Sequence, residues 1–197
     1  MKTINYKNGD TYKGEVSKGL PHGYGVFLKT INNEKILYNS EFKKGKPFGF
    51  GHIYKENYHY VGEMKKLLKH GQGQEFINNS TIIATYKKDN IHGFASFINY
   101  FDNIEVIDGI YKKNKFIGDV KVVYKTGNIY YGPVKGLLGH GKGVYLYDNK
   151  IVIAKFNKGV PHGKASMVDN NIYYTCTYNK GKLIEKEKAV REKKNKR

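Results

Sequence analysis

The sequence has no tryptophan, one cysteine and four prolines in 197 residues. A single cysteine, Cys176, excludes an intrachain disulfide framework and a Cys-x-x-Cys metal pair. No apolar stretch reaches the length that a transmembrane helix needs, and the first residues lack the apolar centre of a secretory signal. These absences predict an intracellular, cytoplasmic protein.

Recognisable catalytic motifs are also missing. The sequence contains no Gly-x-Ser-x-Gly elbow, Walker loop, His-Glu-x-x-His pair or paired-carboxylate motif. Cys176 falls at a position where other repeats have glycine or alanine, which is typical of a small packing residue rather than a nucleophile. The sequence therefore predicts no enzyme, no cofactor and no metal site.

Glycine and tyrosine are abundant, with 23 and 18 residues, and the net charge is +18. Aromatic and β-branched residues mixed with glycine favour strands and tight turns. The positive charge suggests a polyanionic partner, such as a membrane surface or a nucleic acid. It does not decide between them, because an AT-rich gene alone would also enrich lysine, asparagine, isoleucine and tyrosine.

A short pattern recurs along almost the whole chain, and five of the seven histidines stand directly before a glycine. Taking that glycine as an anchor gives seven units, with a partial eighth beginning at "YYTCTYNKGK". The anchors lie 22 to 26 residues apart, at Gly23, Gly49, Gly71, Gly93, Gly118, Gly141 and Gly163. Such a fixed period indicates a repeat protein.

Each repeat predicts one β-hairpin. Large, small and large residues alternate in the first strand, as in Tyr12, Gly14 and Val16, and therefore share one face. Glycine weakens a strand unless close packing requires it, so we expect a tyrosine ring to lie on the glycines. The repeat-defining residues are Tyr12, Gly14, His22, Gly23, Gly25, Tyr60, Gly62, His70, Gly71, Gly73, His92, Gly93, Tyr130, Gly132, His140, Gly141, Gly143, His162 and Gly163.

The histidines are predicted to be structural. Two repeats carry Phe48 and Ile117 where the others carry histidine, and a ring that phenylalanine or isoleucine can replace is a packing group. We expect these rings to contact the adjacent turn or the next repeat, and not to bind a metal.

The segment "YKGEVSKGLPHGYG", Tyr12 to Gly25, resembles the membrane occupation and recognition nexus (MORN) repeat, whose pattern is close to Y-x-G-x-x-x-x-G-x-x-H-G-x-G. "YVGEMKKLLKHGQG" and "YYGPVKGLLGHGKG" each depart from it only at the turn glycine. The resemblance implies an all-β fold, an elongated single twisted antiparallel sheet of consecutive β-hairpins. It implies a non-catalytic scaffold that binds proteins and associates with acidic phospholipid membranes.

Two regions follow from the repeat boundaries. Residues 1–182 form the repeat array, and residues 183–197 form a basic tail of good helix formers. We predict a short C-terminal helix that caps the last hairpin, with a frayed end. A basic membrane-targeting tail is the alternative, although three interspersed glutamates weaken it.

Lysines recur just before or within the hairpin turns, and would form a ladder along one edge of the sheet. We predict that this ladder contacts anionic lipid or another polyanion. The alternative is that these lysines only maintain solubility and block edge pairing. They are Lys18, Lys43, Lys44, Lys65, Lys66, Lys87, Lys88, Lys112, Lys113, Lys135, Lys158 and Lys180.

Two turns carry leucine pairs in place of polar residues. Leu67, Leu68, Leu137 and Leu138 are candidate contacts for a protein partner or a second copy of the chain. They equally allow packing beneath the turns.

The sequence thus favours a repeat scaffold with an unidentified protein partner and a peripheral position at a membrane face. Self-association through a terminal strand is a further expectation. A nucleic-acid-binding protein that uses the basic surface and exposed tyrosines is one alternative. An enzyme with an unrecognised site is the other.

Overall fold

A computed structural model of the chain describes residues 1–189. The chain is 78% strand, and the all-β prediction is confirmed. The strands are β1 (Lys2–Asn5), β2 (Thr11–Ser17), β3 (Leu20–Ile31), β4 (Glu34–Lys43), β5 (Lys46–Lys55), β6 (Tyr58–Lys65), β7 (Leu68–Ile77), β8 (Ser80–Lys87), β9 (Asn90–Phe101), β10 (Ile104–Lys112), β11 (Lys115–Tyr124), β12 (Ile129–Gly132), β13 (Val134–Lys135), β14 (Leu138–Gly139), β15 (Gly141–Tyr147), β16 (Lys150–Asn157), β17 (Val160–Asp169), β18 (Ile172–Asn179) and β19 (Lys182–Lys188).

Consecutive strands pair as antiparallel hairpins, as the repeat predicts. Seventeen strands belong to one open antiparallel sheet, and β13 and β14 form a separate two-stranded ladder. The contacts group the chain into two units. The first unit comprises Met1–Asp102 and Ile110–Ile117, and the second comprises Asn103–Gly109 and the chain from Gly118 onward.

The core lies on one face of the sheet, which we call the inner face. In β4, Ile36, Tyr38, Ser40 and Phe42 are buried, while the residues between them are more exposed, because successive side chains point to opposite faces. The face that carries the intervening residues, such as Glu41, is the outer face.

Tyrosines of one repeat pack edge-on against the next repeat. The Tyr12 ring lies 4.9 Å from Phe42, Tyr60 lies 5.6 Å from Tyr86 and, in the second unit, Tyr130 lies 5.1 Å from Phe156. Such contacts add about 0.5–1.5 kcal/mol beyond the burial of area. They couple neighbouring repeats on the inner face.

The predicted C-terminal helix is wrong for the described part of the tail. Leu183 and the residues up to Lys188 form β19, which pairs with β18 from Asn179↔Lys182 to Tyr174↔Lys188. Without β19, the outer edge of β18 would expose unpaired backbone groups, and pairing satisfies them. The Lys186 ammonium also lies 2.7 Å from the Asp169 carboxylate. The remainder of the predicted helix, residues 190–197, lies outside the described residues.

Candidate functional site: the lysine-bearing turns

The turns that join β2 to β3, β4 to β5, β6 to β7, β8 to β9 and β10 to β11 share one edge of the first unit, because antiparallel strands alternate in direction. Each has lysine at its first loop position and most have lysine just before it. We call these residues the lysine edge of the first unit. They are Lys18, Lys43, Lys44, Lys65, Lys66, Lys87, Lys88, Lys112 and Lys113, and all are exposed. Adjacent turns on one edge are two strands, or about 10 Å, apart.

The first loop residue of these turns has a left-handed backbone. The φ angles of Lys18, Lys44 and Lys66 are 49°, 51° and 56°. Left-handed backbone at both loop positions defines the type I′ hairpin turn, which prefers asparagine, aspartate and glycine. Lysine is not among the residues that this turn prefers.

Two turns on the opposite edge use the preferred residue in the same conformation. The turn between β3 and β4 consists of Asn32 and Asn33, with φ angles of 50° and 65°, and the turn between β7 and β8 begins with Asn78 at 52°. We call this edge the asparagine edge. At these two turns asparagine adopts the left-handed backbone that lysine adopts on the other edge, while the remaining turns of the asparagine edge begin with Glu56 and Asp102, whose backbone is not left-handed.

Hydrogen bonds connect successive lysine turns to one another. The Gly45 N–H donates to the Pro21 carbonyl at 2.9 Å, and the Lys66 N–H donates to the Pro47 carbonyl at 3.0 Å. The Asp89 N–H likewise donates to the Lys69 carbonyl, and the Asp89 carboxylate accepts the Lys69 N–H at 2.7 Å. These bonds hold the turns in register, so the lysines project from a connected backbone.

The second unit repeats this arrangement at two turns. Lys158 and Lys180 have φ angles of 50° and 47°, whereas the opposite edge carries Asp148–Asn149 and Asn170–Asn171. Turn-to-turn bonds recur, because the Gly181 N–H donates to the Pro161 carbonyl at 2.9 Å. Lys135 differs, since it ends β13 and the following turn is Gly136–Leu137.

The four leucines occupy different environments. Leu67 packs against the buried cluster of the first unit, and Leu68 and Leu137 are half-buried. Leu138 is 52% exposed and lies over Gly159 of the next turn. Leu138 thus leaves apolar surface beside the Lys158 turn, while Leu67 belongs to the core.

The repeat-defining tyrosines and glycines interlock within each hairpin. The hydroxyls of Tyr12, Tyr60 and Tyr130 each donate at 2.7 Å to the carbonyl three residues later. A Cβ on Gly143 would lie 2.8 Å from the Tyr130 ring, which leaves room only for glycine. The rings therefore cover the glycines and anchor the bend that follows them.

Sequence reasoning missed the glutamate beside this bend. Glu15 and Glu63 sit at register shifts, and their carboxylates accept the N–H groups of Tyr24 and Gln72 at 3.1 and 3.0 Å. The signal was present, since both glutamates stand three residues after a repeat tyrosine. They satisfy backbone donors that the irregular pairing leaves without a strand partner.

Most His-Gly histidines lie at the surface. His22, His140 and His162 are exposed, and the His162 ring accepts the Lys180 N–H at 3.3 Å. The two histidines outside the motif, His52 and His59, meet at 3.0 Å on the outer face. Burial, and then the neighbouring His52, lowers the pKa of His59. Within residues 1–189 no group of three or more His, Cys, Asp or Glu side chains is arranged to hold a metal ion.

One charged pair that the repeat pattern does not predict is buried on the inner face of the first unit. The Lys69 ammonium lies 2.7 Å from Glu75, and the same carboxylate oxygen accepts the Tyr86 hydroxyl. Burial and the charge of Glu75 raise the pKa of both Tyr86 and Tyr60. The Lys69 ammonium, the Glu75 carboxylate and the hydroxyls of Tyr86 and Tyr60 each have a hydrogen-bond partner. A buried polar network stabilises the fold when its groups are satisfied in this way.

Cys176 is buried in the second unit and pairs across the strands with Ala165. Burial raises the pKa of its thiol, which keeps it protonated. A protonated, enclosed thiol is a poor nucleophile.

The fold and these turns define a class of β-hairpin repeat proteins. The sequence profile of the MORN repeat family matches residues 12–33, 38–59 and 138–151. The chain therefore contains MORN repeats at these three places. No curated protein matches the chain. The count of seven full repeats stays a prediction, because the profile matches at three places.

MORN repeats are generally associated with protein or membrane interactions, and the family is generally non-catalytic. In the described part of the chain, no helix is long and apolar enough to cross a membrane.

Proposed function

We propose that this chain is a non-catalytic scaffold whose lysine edges bind the anionic headgroups of a phospholipid surface. The observation that carries the proposal is the contrast between the two edges of the first unit. All five turns of the lysine edge begin with a left-handed lysine, whereas the two opposite turns that begin with a left-handed residue, between β3 and β4 and between β7 and β8, have asparagine there.

The backbone conformation does not account for those lysines. A left-handed residue with a Cβ costs about 1–2 kcal/mol relative to right-handed backbone, and asparagine offsets that cost through local hydrogen bonds. Asparagine would therefore stabilise the lysine turns. Repeated use of a less suitable residue is explained by a requirement for its charge.

The arrangement suits a flat, negatively charged surface. Five first-position lysines lie along the first unit, about 10 Å apart, on turns that are bonded to one another. Each lysine near an anionic membrane contributes about 1 kcal/mol. In the second unit, exposed Leu138 and Val160 stand beside the turn lysines and offer apolar contact with the headgroup region.

The test is vesicle flotation at physiological salt with a variant that removes charge but keeps the turns. In the turn variant, Lys18, Lys44, Lys66, Lys88 and Lys113 are all changed to Asn, which converts one edge to the chemistry of the other. We expect wild-type protein to float with phosphoinositide-containing vesicles but not with neutral ones. The turn variant should lose flotation while retaining or gaining thermal stability.

A matched control removes five positive charges elsewhere in the first unit, by changing Lys2, Lys7, Lys13, Lys29 and Lys35 to Gln. This control should float nearly as well as wild type if position matters more than net charge. An equal loss of flotation in both variants would mean that net charge, and not the position of the lysines, determines vesicle binding. Absence of wild-type flotation, with tight binding to single-stranded nucleic acid instead, would favour the nucleic-acid alternative.

A further inference from the structure

The outer face of the first unit carries a stripe of aromatic and acidic side chains. Tyr24 and Phe50 are each 64% exposed, and both follow the anchor glycine of their repeat. Glu41 lies on the strand between them and pairs directly with Tyr24 on one side and Phe48 on the other. We call Tyr24, Glu41 and Phe50 the aromatic-acidic stripe.

In the last two full repeats of the second unit, the equivalent positions on β15, β16 and β17 are lysine. Lys142 and Lys164 follow their anchor glycines as Tyr24 and Phe50 do, and Lys155 stands where Glu41 stands, three residues after the first-strand column. We call these three residues the lysine stripe. Lys142 and Lys155 are directly opposed across neighbouring strands.

Opposed like charges destabilise a strand pair. The ion pairs found among residues 1–189 involve Lys55, Lys69 and Lys186, so none of the three lysines of the stripe lies within 4.0 Å of a carboxylate there. The stripe thus places three ammonium groups without an ion-pair partner in the described part of the chain on an exposed sheet face, which Glu185 and Glu187 of β19 also line.

The two stripes match in spacing as well as charge. Each occupies three consecutive strands, β3 to β5 and β15 to β17, so its members repeat at about 4.8 Å. Consider the outer face of the first unit in one copy against the outer face of the second unit in another, with the lysine-bearing turns of both on the same side. The order of strands β3 to β5 then runs opposite to the order of strands β15 to β17. Lys155 then meets Glu41, and the two outer lysines meet the rings of Phe50 and Tyr24. A cation on an aromatic ring and a cation on a carboxylate are both attractive pairs.

Apolar rows flank both stripes on the side of the asparagine edge. In the first unit Leu28, Leu37 and Tyr54 pair in sequence across β3, β4 and β5. In the second unit the corresponding row includes Leu146 and Ile151, which pair across β15 and β16. Both rows leave exposed apolar area, with Tyr54 at 40% and Ile151 at 38%. Contiguous exposed apolar surface of this kind marks an interaction site.

We infer that a second copy of this chain covers the first unit's aromatic-acidic stripe with its own lysine stripe. The inference is separate from the lipid proposal, since no lysine of the turn edges takes part. Each copy carries both stripes, so two copies can make the same stripe-to-stripe contact twice, once in each direction. Such a pair of equivalent contacts is what a two-fold symmetric interface requires.

The experiment is sedimentation equilibrium on the full chain at physiological salt, where screening beyond about 8 Å reduces the repulsion between two basic chains. Wild-type protein should self-associate. Glu41→Lys and Lys155→Glu each replace an attraction by a repulsion and should each weaken self-association about tenfold or more. Glu41 suits this change because, unlike Glu15 and Glu63, it accepts no backbone N–H in the described residues.

The decisive sample is an equimolar mixture of the two variants. The lysine introduced at position 41 then faces the glutamate introduced at position 155, so the mixed species should associate as wild type does. Glu56→Lys and Lys125→Glu, which make the same charge changes in exposed turns, should leave self-association unchanged. A monomeric wild type overturns the inference. So do reversal variants that associate normally, or a mixture that shows no recovery.

Discussion

Removing the positive charge of the buried Lys69–Glu75 pair should destabilise the protein in a way that depends on pH. The substitution is Lys69→Met, which keeps most of the side-chain volume and deletes the ammonium group. Glu75 is 6% exposed, and its carboxylate would remain buried, without a cation beside it and with the Tyr86 hydroxyl still donating to it. Breaking one partner of a buried ion pair typically costs about 3–5 kcal/mol.

Protonation sets an upper limit on that cost. A carboxyl group with an unfolded-state pKa of about 4.3 takes up a proton at pH 7 at a cost of about 3.7 kcal/mol, and at pH 5 at about 1 kcal/mol. Lys69→Met should therefore lower the free energy of unfolding by about 3–4 kcal/mol at pH 7. The loss should shrink to about 1 kcal/mol at pH 5.

Urea unfolding followed by far-ultraviolet circular dichroism at both pH values measures these differences. Adding Glu75→Gln to Lys69→Met should restore most of the stability, because the neutral amide oxygen still accepts the Tyr86 hydroxyl. A loss below about 1 kcal/mol at pH 7, or equal losses at the two pH values, would refute the assignment of a buried ion pair.

Three further predictions concern the repeat architecture. Gly73→Ala should cost about 1–3 kcal/mol because its Cβ would overlap the Tyr60 ring, and urea unfolding should show rescue by Tyr60→Ile, since the fourth repeat already combines Ile82 with Ala95. Burial raises the pKa of Tyr12, Tyr38 and Tyr130, so stability should be full below about pH 10 and fall at higher pH, with phenolate absorbance appearing together with unfolding. Glu63→Ala should cost about 1 kcal/mol in thermal unfolding, because the Gln72 N–H loses its acceptor, whereas Glu56→Ala should cost nothing measurable.

The hairpin repeat was predictable because its signal is local and repeated. The tyrosine, the small residue two positions later and the paired glycines each reflect a contact inside one hairpin, such as Tyr12 on Gly25. The asparagine turns of both units were also predictable, since Asn32–Asn33, Asp148–Asn149 and Asn170–Asn171 consist of residues that favour type I′ turns.

The tail and the buried ion pair were not predictable for different reasons. Leu183–Lys188 has the composition of a helix, but the open edge of β18 offers backbone partners that outweigh helix propensity. At the positions of Lys69 and Glu75 the other full repeats carry uncharged residues. No recurring pattern of charge therefore marks this pair. Their partnership depends on the packing of β7 against β6 and β8.

The most direct test of the central claim is a stepwise titration of the lysine edge. A series of five variants carries one, two, three, four or all five of the first unit's turn lysines changed to Asn. The affinity for phosphoinositide vesicles is measured for each variant. The account predicts decrements of about 1 kcal/mol per step, together with unchanged or higher thermal stability. An affinity that stays constant through all five steps would contradict the claim that these turns bind an anionic surface.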